Sequence, residues 1–293
     1  MNQLIIESAC KSDAAILYDY DNDSNCKIEG YIGQQMWRSE EKVYQALNER
    51  HIMTDVLPHA QSLQAAQLKP YKIIFCVNAQ MLDEEDIARL TAYVEEGGIL
   101  VLGPRCGYKS RENKARMLPF PGLLRELAGI EVRDFTMLDE SDKVEVRFES
   151  NGKATGTVTF NEMLALTAAN AEIVARYTSD YYAHETAISK VSVGKGKVIY
   201  CGTMPTVEIT DLILEDLGIE GDLSDWVEVP KEIEVVKRAH HSGDIYIFMN
   251  YMNKPVNVYF KQSVNELISG SLLTGAFGLQ PFAVHLIQKN KFN

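Results

Sequence analysis

The chain is 293 residues long with 46% hydrophobic and 24% charged residues, a composition that argues against disordered and fibrous proteins. Its formal net charge of −12 would repel phosphate groups, so we expect neither nucleic acid nor an anionic membrane surface as a partner. No apolar run approaches the roughly 18 residues of a membrane span, and the N-terminus lacks a basic segment followed by an apolar one, so we expect a cytoplasmic protein.

The first half of the sequence alternates short apolar runs with segments of helical periodicity. The run AAILYD at 14–19 predicts a buried strand, and further strands are predicted at YKIIFCV (71–77) and GILVLG (98–103). Between the last two, DEEDIARLTAYVEEGG (83–98) predicts a helix with acidic residues in its first turn and glycines at its end. Nearly continuous apolar strands that alternate with helices indicate a parallel sheet covered on both faces.

The pattern changes in the middle of the chain and again near its end. Around Val144, Val146 and Phe148, apolar residues alternate with charged ones, which predicts half-buried strands and an antiparallel excursion over about 131–193. GKGKVIYCGT (194–203) and a helix to about Leu217 return to the first pattern. Short strand-like runs without helices then predict a small antiparallel β domain. We predict an N-terminal segment (1–12), an α/β domain (13–222) and a small all-β domain (228–290).

Cys106 follows a predicted strand and lies between Gly103 and Gly107. A nucleophile on a strand-to-helix elbow requires such a turn, together with a histidine base oriented by an acid. Amidotransferases of the flavodoxin-like class place His-Pro-Glu after a late strand, whereas the matching segment CGTMPTVE (201–208) contains Glu208 and no histidine. Two interpretations stay open: an amidotransferase or hydrolase that uses Cys106, and a structural cysteine in a turn.

Metal-binding patterns are incomplete in the sequence. The acidic run DYDNDSN (19–25) begins like a calcium loop, but Ser24 and Gly30 occupy the positions that require glycine and a bidentate glutamate. The pair His240-His241 has no third ligand nearby in sequence, and the five cysteines include no close pair. We therefore expect no metal, no disulfide framework and no other cofactor. The acidic run is interpreted as a loop at the carboxyl end of the first strand, where open α/β sheets meet ligands and partners.

Six stretches of the chain carry a family resemblance. They are AAILYDYDND (14–23), VYQALNERHIMTDVLP (43–58), LDEEDIARLTAYVEEGGILVLGPRCGYKSREN (82–113), FPGLLRELAGIEVRDF (120–135), VGKGKVIYCGT (193–203) and EVVKRAHHSGDIYIFMNYMNKPVNV (234–258). In this order they resemble the C-terminal half of the family-42 β-galactosidases, from about Asp13 to Ile287. The resemblance implies a trimerisation domain with a mostly parallel, flavodoxin-like or class I glutamine-amidotransferase-like sheet that has lost its catalytic apparatus, followed by the family's C-terminal β domain.

The resemblance also implies a function and candidate residues. The family's catalytic glutamates come from a (β/α)8 barrel, which takes roughly 200 residues or more and which residues 1–12 cannot hold. We therefore expect a non-catalytic oligomerisation region that forms a homotrimer, with a separate or missing barrel as the further partner, and no catalytic residue in this chain. A stand-alone carbohydrate-binding module is an alternative. The candidate substrate-binding or interface residues are Asp19, Asp21, Trp37, Arg105, Tyr108, Lys109 and Asn113.

Overall fold

A computed structural model describes residues 2–30, 36, 38–58, 63–139 and 141–290 of the chain. The chain divides into two compact units. The first, which we call the mixed-sheet unit, comprises Ala14–Gln45 and Asp55–Gly218. The second, which we call the β unit, comprises Met1–Asp13, Ala46–Thr54 and Ile219–Asn293. None of the helices in the described ranges combines the length and the hydropathy that crossing a lipid bilayer requires.

The helices and strands follow one another along the chain. In order they are α1 (Asn2–Ile6), β1 (Ala9–Cys10), β2 (Ala14–Tyr18), α2 (Tyr20–Ile28), α3 (Ser39–Glu49), β3 (Thr54–Pro58), α4 (Ala65–Leu68), β4 (Ile73–Cys76), α5 (Glu84–Glu95), β5 (Ile99–Leu102), a 3-10 turn (Gly122–Leu124), α6 (Arg125–Ala128), β6 (Ile130–Met137), β7 (Glu145–Phe148), β8 (Ala154–Gly156), β9 (Phe160–Leu166), β10 (Ala171–Tyr177), β11 (Thr186–Val193), β12 (Gly196–Cys201), α7 (Val207–Asp216), β13 (Val227–Glu228), β14 (Ile233–Ala239), β15 (Gly243–Asn250), β16 (Val256–Glu266), β17 (Leu272–Leu279) and β18 (Val284–Asn290).

The first part of the mixed-sheet unit is a parallel sheet, which confirms the prediction from alternating strands and helices. Strand β4 lies between β2 and β5 and pairs with both in parallel, and β5 pairs in parallel with β12. All four residues of β4 are buried, as a strand covered on both faces requires. Helix α5 begins at a capping box in which Asp83 and Asp86 satisfy each other's backbone N–H groups, and its Leu90 and Val94 are buried.

The antiparallel strands continue the same sheet. Strand β12 pairs in parallel with β5 on one side and antiparallel with β11 on the other. The order β3-β2-β4-β5-β12-β11-β10-β7-β8, with β9 beside β11 and β6 beside β9, gives an 11-stranded sheet among the described residues. The sheet is therefore mixed: its parallel part is extended by antiparallel strands in the region, about 131–193, where the sequence predicted an antiparallel excursion. The predicted alternation is confirmed around β7, because Val144, Val146 and Phe148 are buried and the charged residues between them are exposed.

The C-terminal part of the β unit is all-β, as predicted, and its sheet includes a strand from the N-terminal segment. Its order is β1-β14-β15-β18-β16-β13, with β17 beside β16. Strand β1 pairs antiparallel with β14, so that Ala9 lies opposite Ala239. The core is built around Trp226, which is 1% exposed and packs against Tyr246 and Phe260. Aromatic side chains bury large apolar areas, so this packing contributes strongly to the core of the unit.

Candidate functional site

Polar side chains collect at the carboxyl edge of the parallel strands. Asp19 follows β2, Gln80 follows β4, and Arg105 follows β5. Because these strands are parallel neighbours, their carboxyl ends lie at one edge of the sheet, which is where open α/β sheets meet ligands. We call the group formed here by Asn25, Glu29, Arg105, Tyr108 and Lys109 the strand-end cluster.

The strand-end cluster is organised around one carboxylate. The Lys109 ammonium lies 2.7 Å from Glu29 Oε1 and donates to Asn25 Oδ1 at 2.9 Å, and the Lys109 side chain is only 8% exposed. The Arg105 guanidinium approaches the same Glu29 oxygen at 3.4 Å and lies 4.1 Å from the centre of the Tyr108 ring. Two cations thus share one anion, and both lie within 6 Å of the centre of the Tyr108 ring, Arg105 at 4.1 Å and Lys109 at 5.6 Å. Glu29 Oε2 and Arg105 Nε are buried without a hydrogen-bond partner.

A buried polar network holds the cluster in place. The Asn25 amide donates to Gln80 Oε1 at 3.2 Å, and the Gln80 amide lies 3.4 Å from Cys26 Sγ. The Cys26 thiol donates to Asn78 Oδ1 at 3.3 Å. Gln80 and Cys26 are fully buried, so each of these groups needs its partner in the protein. The network ties helix α2 to the segment after β4 and fixes the position of Asn25 beside Lys109.

The turn after β5 places Arg105, and not Cys106, at the centre of the elbow. In the pattern Gly-x-nucleophile-x-Gly, the central position between Gly103 and Gly107 is residue 105. Arg105 has a φ of 59°, the left-handed conformation that such a sharp turn produces. Cys106 instead turns inward and its thiol donates to the carbonyl oxygen of Cys76 at 3.1 Å.

The Cys106 thiol does not have the properties of a nucleophile. It is fully buried, and burial raises its pKa to about 12. A catalytic cysteine needs an accessible thiolate, which requires a lowered pKa. The structure therefore favours a structural cysteine in the turn over an amidotransferase or hydrolase that uses Cys106.

Glu162 contacts the turn after β5 and was not among the residues predicted from the sequence. This β9 residue accepts from the backbone N–H of Arg105 at 3.1 Å and from the Tyr200 hydroxyl at 2.9 Å. It is 4% exposed, and burial raises its pKa to about 7. The sequence signal that could have found it is a glutamate inside the strand-like run FNEMLAL. A charged residue within a buried strand needs hydrogen-bond partners from the protein.

Asp19 has a structural role beside the strand-end cluster. Its carboxylate caps helix α2 by accepting from the backbone N–H of Asp21 at 2.8 Å. The same carboxylate forms an ion pair with Arg111, which also lies 3.0 Å from Asp86 at the start of α5. Arg111 therefore links the carboxyl end of β2 to the beginning of α5.

The predicted site residues are only partly brought together. Arg105, Tyr108 and Lys109 are in mutual contact, whereas Asp19 is joined to Arg111. Asp21 and Asn113 are exposed, and Asn113 lies in a turn in which its N–H donates to Ser110 O at 3.0 Å. Trp37 lies outside the described residues.

Exposed apolar side chains occur on the segments that carry the cluster. Met117, in the loop after β5, is 97% exposed, and Ile28, at the end of α2 beside Glu29, is 78% exposed. Tyr20, at the start of α2, is also exposed. These three side chains are candidates for a surface that another molecule covers, provided that they contribute to one patch. The sequence analysis missed them because the loop 103–121 and the short helix α2 show no apolar periodicity.

A cavity of about 620 Å³ opens on the other side of helix α2. Its lining combines Tyr18, Asp23, Lys27, Glu40 and Tyr44 with apolar side chains. Burial raises the pKa of Glu40 to about 7. The cavity lining carries both signs of charge, and its Lys27 and Asp23 form an ion pair with each other at 2.8 Å.

Two family models match the chain. "Beta-galactosidase trimerisation domain" matches residues 12–224, and "Beta-galactosidase C-terminal domain" matches residues 232–289. Among curated proteins, the chain is 25% identical over 289 residues to β-galactosidase BgaA of Clostridium cellulovorans, with 98% of this chain and 42% of the relative covered. It is 24% identical over 275 residues to β-galactosidase bgaB of Geobacillus kaustophilus, with 92% and 40% covered. The chain spans about two fifths of the length of these relatives.

Solved structures share the fold. The β-galactosidase of Bacillus circulans sp. alkalophilus superposes with a TM-score of 0.84 at 19% identity, over 97% of this chain and 42% of that chain. Gan42B, a GH42 β-galactosidase of G. stearothermophilus, gives a TM-score of 0.83 at 23% identity, over 96% and 40%. The arrangement of a mixed-sheet unit and a β unit thus occurs in both proteins.

Proposed function

The chain belongs to the family-42 β-galactosidases, whose trimerisation and C-terminal domains it carries, and from this premise we propose that it is a non-catalytic oligomerisation region. The observation that supports this most strongly is the match of the trimerisation domain over residues 12–224. In this proposal, residues 13–222 form the assembly domain of a homotrimer and residues 228–290 form the small C-terminal domain.

We also propose that the assembly domain is an amidotransferase-like, flavodoxin-like fold whose nucleophile has been lost. Support comes from the elbow after β5, where Arg105 occupies the central position of the Gly-x-nucleophile-x-Gly pattern. An arginine there cannot attack a carbonyl carbon. It can instead pair with Glu29 and stack on Tyr108, so the former catalytic turn becomes part of a polar surface.

The proposed interface is the edge of the sheet that carries the strand-end cluster. Met117, Ile28 and Tyr20 supply apolar area, and burying such side chains contributes about 1.5–3 kcal/mol each. Asp21 and Asn113 are exposed on the same segments and would form a polar rim, as is usual around the apolar centre of an interface. We propose Trp37 as a further interface residue. Arg105, Tyr108 and Lys109 would support the interface from beneath.

The assembly proposal predicts the mass of the purified chain in solution. Size-exclusion chromatography coupled to light scattering should give three times the protomer mass of 32.9 kDa, which is about 99 kDa. This result is expected because the trimerisation-domain model matches residues 12–224 of the chain. A monomeric mass at all concentrations tested would contradict the proposal that this chain is sufficient for assembly.

Met117→Asp should weaken the assembly without unfolding the protomer. Met117 is 97% exposed, so the substitution costs little in the isolated chain, whereas burying an unpaired carboxylate at an interface is strongly unfavourable. We expect the dissociation constant of the assembly to rise at least about tenfold, that is by 1.4 kcal/mol or more. Light scattering over a dilution series measures the effect.

Ile268→Asp is the matched control for this variant. Ile268 is an exposed isoleucine between β16 and β17 and belongs to the β unit, not to the sheet edge of the mixed-sheet unit. Its replacement should leave the mass unchanged. Equal loss of assembly in both variants, or an unchanged mass for Met117→Asp, would place the interface elsewhere.

We further propose that hydrolysis of terminal β-D-galactosides, the activity for which the relatives are named, depends on a catalytic (β/α)8 barrel and not on residues of this chain. The chain by itself is therefore predicted to be inactive. We propose a cytoplasmic location, which the five free thiols support, because a reducing compartment keeps cysteines unpaired.

A further inference from the structure

We propose that Glu7, His240 and His241 form a binding site for a divalent transition-metal ion of the zinc class. The three residues belong to the β unit, whereas the strand-end cluster belongs to the mixed-sheet unit, and the proposal does not depend on the oligomerisation role. One ligand atom from each residue can be chosen so that all three lie within 4.8 Å of one another. Two imidazoles and one carboxylate are a ligand set that zinc uses in proteins.

Strand pairing creates this group from distant parts of the sequence. Strand β1 pairs with β14 with Ala9 opposite Ala239, so Glu7, just before β1, meets the turn that follows β14. His240 and His241 lie in that turn, before β15 begins at Gly243. The sequence placed no third ligand near the histidine pair because the pairing of β1 is a long-range contact.

Arg238 holds the N-terminal segment in this position. Its guanidinium donates to Ser8 Oγ at 2.8 Å, to Ser8 O at 2.7 Å and to Ile5 O at 3.2 Å. The side chain of Gln3 donates to Glu7 Oε1 at 2.9 Å, which leaves Glu7 Oε2 directed toward His240. The carboxylate is therefore oriented by the protein before any ion binds, as in many metal sites.

His240 supplies the observation that points to a ligand. Its side chain is 2% exposed, and its Nε2 atom is buried without a hydrogen-bond partner. This nitrogen faces Glu7 Oε2 across 3.6 Å, a distance too long for a hydrogen bond. Ligands at the usual zinc distances of roughly 2.0–2.2 Å in tetrahedral geometry are about 3.4 Å apart. The observed gap therefore has nearly the width that a bound ion would need.

The surroundings allow the proton transfer that metal binding requires. An imidazole that binds through Nε2 must carry its proton on Nδ1. Ser242 Oγ lies 2.8 Å from His240 Nδ1, and the Ser242 backbone N–H donates to the same nitrogen at 3.2 Å. Ion binding through Nε2 therefore exchanges this N–H bond for a bond from Nδ1–H to Ser242 Oγ, and the ring proton shifts from Nε2 to Nδ1. His241 is exposed, so the ion can enter from solvent and a water can complete the coordination.

A bound ion would fasten the N-terminal segment to the β unit. Glu7 would be linked to the turn after β14 by coordination, in addition to the two residue pairs of β1. Ions that bind the folded state alone stabilise it by mass action. The proposed site is therefore a structural one. We expect three protein ligands and one water molecule to bind the ion.

The test is a titration of the purified chain with zinc chloride after treatment with a chelator. Isothermal titration calorimetry should show one ion per chain, and zinc should raise the melting temperature of the β unit by about 5 °C at saturation. Hydrogen exchange should show slower exchange at residues 3–10 when zinc is present. Glu7→Gln and His241→Gln should each weaken binding at least about tenfold, because each removes one ligand.

His184→Gln is the control, since His184 is an exposed histidine of the mixed-sheet unit and should leave binding unchanged. Both test variants alter exposed side chains, so their melting temperatures without zinc should equal that of the parent chain. The proposal is overturned if no stoichiometric binding occurs up to about 1 mM zinc. It is equally overturned if Glu7→Gln and His241→Gln bind as tightly as the parent.

Discussion

Gly103→Ala should lower the free energy of unfolding by about 3 kcal/mol or more. A Cβ atom at this position would lie 2.2 Å from the carbonyl oxygen of Val77 and 2.9 Å from its Cα. Both are backbone atoms of the segment that follows β4, so no side-chain rotation can relieve the overlap. The elbow after β5 would have to move away from β4, and the strand-end cluster would lose its support. Urea unfolding followed by circular dichroism measures the loss.

Gly156→Ala is the matched control. This glycine lies in β8 of the same unit, and the nearest atom to its added Cβ would be Val144 O at 4.0 Å, an ordinary contact. Its replacement should change the unfolding free energy by less than about 1 kcal/mol. If both variants lose the same stability, the close approach at Gly103 is not the cause.

The stability of the mixed-sheet unit should fall as pH rises from about 4.5 to above 7. Burial raises the pKa of Glu162 from 4.5 to about 7, so the folded state holds this proton more tightly than the unfolded state does. The stabilisation from the protonated form is complete below the unfolded pKa and is lost as pH passes through the folded one. At about 1.4 kcal/mol for each pKa unit, the contribution of Glu162 amounts to about 3 kcal/mol.

Glu162→Gln should remove this share of the pH dependence. Glutamine stays uncharged, and its carbonyl oxygen can still accept from the backbone N–H of Arg105. Unfolding free energies measured in urea below pH 5 and above pH 7 should therefore differ by about 3 kcal/mol less in the variant. Glu40, whose pKa burial also raises to about 7, contributes in the same direction and leaves a residual slope.

Glu145→Gln serves as the control, because Glu145 is an exposed residue of β7. It should retain the full pH dependence of the parent chain. A Glu162→Gln variant with the parent's slope would show that another group carries the effect.

Local patterns in the sequence were sufficient for several elements of the fold, although the acidic run 19–25, interpreted as a loop, begins helix α2. The apolar runs before Tyr18 and Cys76 predicted the buried strands β2 and β4, because strands covered on both faces have no polar side. The acids at the start of α5 predicted its first turn, since they cap exposed backbone N–H groups. These signals are short-range, and they concern neighbours along the chain.

The candidate site could be predicted only in part. Loop residues after β5 were expected at the sheet edge, and Arg105, Tyr108 and Lys109 are found together there. Their partner Glu29 was not expected, because its contact with Lys109 depends on how helix α2 returns along the sheet, which no local pattern determines. Small residues beside Cys106 likewise indicated a turn, but not which residue would stand at its centre.

The position of β12 between the two halves of the sheet has a consequence for folding. Ile99 in β5 pairs with Lys197 in β12, so this central contact forms only after a long intervening segment has been synthesised. Until then, β5 is an unpaired edge with buried apolar residues on both sides of the strand, a template for association with other chains. Contacts so distant in sequence also form slowly. We expect a slow folding phase that ends with the pairing of β5 and β12, and a tendency of chains truncated before residue 196 to aggregate.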